Sequence, residues 1–291
     1  MLRTQPNVDA IVDANGLFAR CFYAAMAPSS DLRYDSDGYL TSTFKCLFSA
    51  FRGDIGLPER ILFCFDGKPK TIKRRPPKPP DWYSKLGEFQ RVIKEGFGEA
   101  AHTLHSDHES DDTVATVVAR MACQGRRVVV VSGDKDLQQL ALPDGQVSYF
   151  CLNKKRLLTA AEICDRWGVK RPIQVAVALA IIGDVGDGVN GVDKMAAKAV
   201  QRIFNGLSDD ASLDLVVEVA ARQMTESQKA QFYESLELTL LHLDVQTDAV
   251  PVPFDPVPSL SLGGRAGDEW ARGIAMLDPE GAIDAVQDWT P

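Results

Sequence analysis

Histidine is scarce, with four among 291 residues, and six cysteines (Cys21, Cys46, Cys64, Cys123, Cys151, Cys164) lie singly among apolar neighbours. That pattern lacks the paired spacing of a zinc site and predicts reduced core thiols. No stretch approaches membrane-spanning length, and Met1 to Asn7 carries no apolar signal region, so the expectation is a soluble, cytoplasmic chain without a membrane partner. Internal repeats and low-complexity segments are missing too. What remains is a globular composition, 45% apolar over 291 residues, enough for one large domain or two modest ones.

The formal net charge of -8 argues on its face against a nucleic-acid partner. Distribution reverses that argument, because six basic residues fall between Lys68 and Lys78 while acids gather at a few points. If the nine carboxylates named below are metal ligands or their close neighbours, the rest of the chain sums to about +1.

Taken in order, apolar runs keep ending on aspartate. Val8 to Val12 reads as a buried strand broken by Asp13-Ala14-Asn15-Gly16, with a helix from about Leu17 to Met26. Arg20 on that helix either reaches an anion at the strand end or is a surface arginine. Thr41 to Phe51 has helical apolar spacing, and Arg60 to Phe65 is a second strand, closed by Asp66-Gly67. The stretch from Lys68 to Tyr83 is too rich in proline for a helix and too basic for a core. It reads as a solvent-facing loop whose cations, with Trp82 and Tyr83 beside them, suit phosphates and exposed bases. Leu86 to Phe97 reads as a helix and Ala101 to Leu104 as a strand.

Val114, Val117, Val118 and Met121 give Thr113 to Met121 one buried face, so Glu109, Asp111 and Asp112 crowd the first turn of a helix. Alone, that segment reads equally well as a solvated acidic cap. Arg127 to Val131 is a strand running into Asp134 and Asp136, two apart and able to point to a common side in an extended turn. Further on come a strand at Val147 to Cys151 and a helix at Thr159 to Trp167 with capping-box spacing to Glu162. Pro172 opens an apolar helix ending at Ile182, and a glycine-rich turn carries Asp184 and Asp187. A basic helix from Lys194 to Phe204 follows, with Lys194, Lys198 and Arg202. Helix, glycine-rich turn and helix suit a grip on a phosphate backbone. Two more helices are expected at about Asp214 to Met224 and Ser227 to Leu243.

Alternating strands and helices predict an α/β fold with a mostly parallel central sheet and a site beyond the strands' carboxyl ends. Acids at five such boundaries suggest convergence on one pocket. They cannot all stay ionised there without divalent cations, and oxygen-only ligation selects Mg²⁺ or Mn²⁺ over Zn²⁺. Two such ions would suit phosphodiester hydrolysis.

Val12-Asp13-Ala14-Asn15, Phe65-Asp66-Gly67-Lys68, Glu109-Ser110-Asp111-Asp112, Gly133-Asp134-Lys135-Asp136 and Gly183-Asp184-Val185-Gly186-Asp187 resemble, in order and spacing, the motifs of the 5′ nuclease family. That family includes flap endonucleases, the N-terminal domain of bacterial DNA polymerase I and stand-alone bacteriophage exonucleases. Leu236 to Val245 resembles the segment that ends the phage enzymes. The resemblance implies a PIN-like catalytic domain over 1–168 with a basic arch at 68–100, a helix-three-turn-helix DNA-binding region over 169–250, and a C-terminal tail over 251–291. It implies two Mg²⁺, replaceable by Mn²⁺, one held by Asp13, Asp66, Glu109 and Asp111. The second is held by Asp134, Asp136 and Asp184, with Asp112 and Asp187 nearby. Lys73 and Arg75 take the catalytic positions of the arch, and Arg20, Lys68, Lys70, Arg74, Lys78, Gly191, Lys194 and Lys198 contact DNA.

The implied activity is that of a 5′-3′ exodeoxyribonuclease and 5′ flap endonuclease. Its partners are DNA with a free 5′ end, a flap or a duplex-single-strand junction, and a DNA polymerase in trans. The protein is expected to be a monomer in a bacterial or phage-infected cytoplasm. Two departures stand out. The segment between Asp66 and Arg75-Pro76-Pro77 is about eight residues shorter than the polymerase-type pattern. Lys194 and Ala196 replace the two glycines of the family's hairpin, where K⁺ binding at 188–196 is implied. Rival readings are a DNA-binding module on this fold that no longer cuts, and a PIN-type ribonuclease, which would need the acids but not the segment Gly183 to Lys198.

Overall fold

Six apolar segments pair into one sheet in the order β3-β2-β1-β4-β5-β6. They are β1 (Val8–Asp13), β2 (Arg60–Phe65), β3 (Ala101–His105), β4 (Arg127–Ser132), β5 (Val147–Cys151) and β6 (Arg156–Leu158). All neighbouring pairs are parallel except β5 with β6. This computed structural model describes residues 8–26, 38–56, 58, 60–67, 77–97 and 101–247. Lys68, Lys70, Lys73, Arg74 and Arg75, and the expected tail at 251–291, lie outside the described residues.

β1 and β2 are buried along their whole lengths, as strands covered on both faces must be. One face carries α1 (Ala14–Met26), α2 (Gly38–Ala50) and α3 (Trp82–Phe97), whose Phe18, Phe22, Phe44 and Phe89 pack with Val12, Phe63 and Val131. The other carries α4 (Ser110–Cys123), α5 (Ala160–Trp167), α6 (Val175–Ile182), α7 (Ala197–Asn205), α8 (Leu213–Arg222) and α9 (Glu226–Thr239). Ile11, Leu62 and Val130 share a single apolar cluster with Val177, Leu179, Phe204 and Phe232. Packing therefore runs without a break across the expected boundary at 168/169. Among the described residues no helix is long and apolar enough to cross a membrane.

From β1 the chain steps outward to β2 and β3, then returns through α4 to β4 on the other side of β1. The order reverses between β1 and β4, and a crevice opens at their carboxyl ends, where open α/β sheets hold ligands.

Several expectations shift. The first helix starts at Ala14 rather than Leu17, because Asp13 accepts the Gly16 amide at 2.9 Å and caps it. Trp82 opens α3 and is 2% exposed, packed edge-to-face with Phe18 and Phe22 and tilted against Tyr23, whereas Tyr83 is 73% exposed. Of the expected basic arch at 68–100, residues 82–97 are therefore a helix anchored in the core by Trp82 and Phe89. Lys194 sits in a turn with φ 62° instead of opening the following helix. α9 ends at Thr239, and β6 was not anticipated at all. The capping box of Thr159 and Glu162 forms as its spacing predicted.

At the amino end of the sheet, Asp9 is completely buried between two arginines. Arg60 Nε and Nη2 donate to its two carboxylate oxygens at 2.8 and 3.1 Å, and Arg126 Nη2 donates to Oδ1 at 2.8 Å.

Candidate metal centre

Asp13 is the last residue of β1 and 2% exposed. Its Oδ1 accepts the Gly16 amide at 2.9 Å and the Ser110 hydroxyl at 3.2 Å, while Oδ2 accepts the Ser132 hydroxyl at 2.8 Å. Asp66, just past β2, accepts the Asn15 side-chain amide at 2.6 Å and the Ser110 backbone amide at 2.9 Å. The amino end of α4 thus points an N-H at Asp66, a favourable place for an anion. Ser110 joins the two acids, and Ser132 joins Asp13 to the next strand by accepting the Asp134 amide at 2.9 Å.

Beyond β4 the two acids meet through a tight turn rather than an extended one. The Asp136 amide donates to Asp134 Oδ1 at 2.9 Å, and Asp136 opens a short 3₁₀ turn, Asp136–Leu140. Asp187 joins them from the loop after α6, and one carboxylate oxygen from each of Asp134, Asp136 and Asp187 lies within 4.8 Å of the others. Tyr149 steadies this turn by donating to the Ser132 and Asp134 carbonyls at 3.0 and 2.5 Å.

Asp13, Asp66, Asp111, Asp134 and Asp187 line one cleft of about 440 Å³, together with Asn15, Gly16, Tyr23, Lys78 and Ser110. Burial, first, and then the charges of Asp134 and Asp66 raise the Asp13 pKa to about 6, against the lowering pull of the Gly16 amide and Ser132 hydroxyl. Carboxylates this close repel unless a cation lies among them. A donor set of carboxylate oxygens without histidine or cysteine fits a hard divalent ion.

Asp184, Glu109 and Asp112 do not border this cleft. Asp184 is 6% exposed and paired with Lys135 Nζ at 2.7 Å. Glu109 is the residue before α4 and lines a separate small pocket with Asp112, Glu237 and His242, which Asp111 also borders. Asp112 accepts the His242 amide at 2.9 Å and so latches the returning chain onto α4. Of the expected DNA contacts, Arg20 bonds the Asn153 side chain, and Lys78 Nζ lies 4.4 Å from the Trp82 ring centroid, at the cleft. Gly191 has φ 72°, a conformation glycine favours, and Lys198 is exposed on α7.

Asn15, Gly16, Ser110 and Ser132 were missed by sequence reasoning. Three of them lie inside the acidic motifs or directly after one, so their position beside a ligand was the available signal. Gly16 has a steric role. A Cβ there would stand 2.0 Å from Asp13 Oδ2. Gly16→Ala should favour the helix by up to about 1 kcal/mol yet lower Mg²⁺ affinity by about 10-fold to 100-fold. Calorimetric titration and a melt on the same sample check both; unchanged affinity would contradict the assigned contact.

Asp13 also carries a pH prediction. Its folded pKa of about 6 lies above the unfolded 3.8. Its stabilising contribution to the metal-free protein is therefore full below 3.8 and lost as pH rises through about 6. Melting in EDTA should show this loss, Asp13→Asn should remove it, and saturating Mg²⁺ should offset it. A pH profile unaltered by Asp13→Asn would refute the assignment.

A family profile described as the 5′-3′ exonuclease N-terminal, resolvase-like domain matches residues 9–168. The chain is 24% identical over 261 residues to DNA polymerase I of Rhizobium leguminosarum, covering 84% of this chain and 25% of that protein. It is 30% identical over 183 residues to flap endonuclease Xni of Aeromonas hydrophila, covering 60% of this chain and 64% of that one. The matches thus span less than two thirds of either relative. Among solved structures, a bacteriophage T5 flap endonuclease in complex with DNA and metal ions matches with TM-score 0.54 at 15% identity, over 97% of this chain and 96% of that one. This last likeness is one of fold.

Proposed function

The chain belongs to the 5′-3′ exonuclease family, and on that premise we propose that it is a two-metal 5′-3′ exodeoxyribonuclease and 5′ flap endonuclease. The observation that carries the reading is the convergence of Asp13, Asp66, Asp111, Asp134 and Asp187 on one cleft at the sheet's switch point. Asp13, Asp66 and Asp111 would hold one divalent ion, and Asp134, Asp136 and Asp187 the other. Glu109 and Asp184 keep their places beside these sets, and Asp112 serves as the latch to His242. When bound, the ions supply Lewis-acid stabilisation of charge on the phosphodiester.

The chain's own residues position that phosphodiester. Ser110, Ser132 and Asn15 fix the carboxylates, and Lys78 offers a cation at the mouth of the cleft. Lys73 and Arg75 are assigned to neutralising the reacting phosphate, and Arg20, Lys68, Lys70 and Arg74 to the strand around it. The turn at 188–196 with Gly191, Lys194 and Lys198 is assigned to the duplex backbone, with a K⁺ ion as part of the same proposal. DNA with a free 5′ end or flap is the substrate, and the work is done in the cytoplasm beside a polymerase.

The test is incubation of 5′-flapped and blunt duplex DNA with Mg²⁺ or Mn²⁺ at neutral pH, beside RNA of the same sequence. Metal-dependent release of mononucleotides or short oligonucleotides from DNA is expected. DNA left intact with both metals would refute the activity, and preferential cutting of RNA would favour the ribonuclease reading.

A further inference from the structure

Asp134 and Asp187 form a wall shared by two clefts. A second cleft of about 400 Å³, which neither Asp13 nor Asp66 borders, is lined by these two acids with Lys135, Asn153, Lys154, Arg166 and Asp184. Its charge is mixed where that of the first is mainly acidic, with Lys135, Lys154 and Arg166 facing Asp134, Asp184 and Asp187. Lys135 is matched by Asp184 at 2.7 Å. Lys154 projects from the turn between β5 and β6, and Arg166 from α5, and neither meets a carboxylate among the described residues. Lys154 has its backbone amide bonded to the Cys151 carbonyl at 3.1 Å, and the Arg166 guanidinium stands 5.4 Å from the Trp167 ring centroid.

The cleft is built rather than accidental. Trp167 Nε1 donates to the buried Gln138 side chain at 2.9 Å, which fixes the base of α5 against the floor. Asn153 donates to the Gly133 carbonyl at 3.0 Å and receives Arg20 from α1, tying the β5–β6 turn to the strand end that carries Asp134. Lys154 and Arg166 are exposed at the rim of this cleft beside Asp134 and Asp187, so both are open to an anion that enters it.

We propose that this second cleft is a phosphate subsite, in which Lys154 and Arg166 take the DNA phosphodiester next to the one being cut. The inference rests on the DNA-cleaving function proposed above, and it sets the register of the strand: scissile phosphate on one side of Asp134, neighbouring phosphate on the other. Lys154 and Arg166 are positioning residues that contact the strand away from the reacting atoms.

The experiment uses the full chain and its Lys154→Ala, Arg166→Ala and double variants. Binding of a 5′-flapped duplex is measured by anisotropy in Ca²⁺ over a salt series, and cleavage is measured separately in Mg²⁺. Each cation removed should shrink the slope of log affinity against log salt by about 1, and the double variant should raise KM about tenfold or more with kcat little changed. A single neutral methylphosphonate is then walked along the substrate. At the position next to the cut it should weaken wild-type binding and add nothing to the double variant's loss.

Unchanged salt slopes, penalties that multiply at every position, or a coupled position away from the cut would overturn the subsite. These outcomes are separable from the parent reading. Wild-type protein that cuts DNA while the variants bind normally removes only the subsite. Wild-type protein that shows reduced slopes in the variants but cuts nothing removes only the activity. Both side chains are exposed, so circular dichroism should show an unaltered fold.

Discussion

Asp134→Ala is expected to lower Mg²⁺-dependent DNA cleavage by at least about 10³-fold while leaving DNA binding without metal intact or stronger. The magnitude follows from its place: Asp134 borders both clefts, and one of its oxygens lies within 4.8 Å of Asp136 and Asp187 oxygens. The sign on binding follows from electrostatics, since a carboxylate facing a phosphate repels it unless a cation intervenes. Asp134 has a structural duty as well, accepting the Asp136 amide at 2.9 Å. Asp134→Asn can keep that bond and separates the two duties. Cleavage lost in both variants, with a melting-temperature drop confined to alanine, would assign the loss to charge. Equal loss of cleavage and binding in both would make the acid structural.

The second large effect is on stability. Asp9 lies at the opposite end of β1 from Asp13, and its burial is tolerated only because Arg60 and Arg126 satisfy both oxygens. Arg60 is itself 1% exposed. Asp9→Ala removes the carboxylate that receives both guanidinium groups, and breaking a buried pair from one side costs about 3–5 kcal/mol. Urea unfolding should show a midpoint lower by about 1–2 M, with cleavage per folded molecule unchanged. A shift of a few tenths of a molar would mean that water replaces the lost carboxylate.

The strands and their terminal acids were legible in the sequence because β1, β2, β4 and β5 are short apolar runs cut off by turn-forming residues. Parallel strands also send such residues to one edge. That logic brought Asp13, Asp66 and Asp134 together without any contact information. What stayed hidden depends on partners far along the chain. Asp112 stands beside Asp111, and the amide of His242, 130 residues on, donates to one of its two oxygens. Trp82 beside a basic run looks like a base-stacking residue, but Phe18 and Phe22 bury it. The Asp136 amide turns back onto Asp134 Oδ1 just as the 3₁₀ turn begins, a bend that a two-residue spacing alone cannot distinguish from extended chain. Ser110 and Ser132 carry no charge and so stood out in no pattern, though between them they bond Asp13, Asp66 and Asp134.

Anomalous diffraction from crystals grown with Mn²⁺ tests the central claim most directly. Two peaks are expected, about 3.5–4 Å apart, one against Asp13, Asp66 and Asp111 and the other against Asp134, Asp136 and Asp187. No peak at the carboxylates shared by these strands, in protein shown to be folded at a pH above the Asp13 transition, would contradict it.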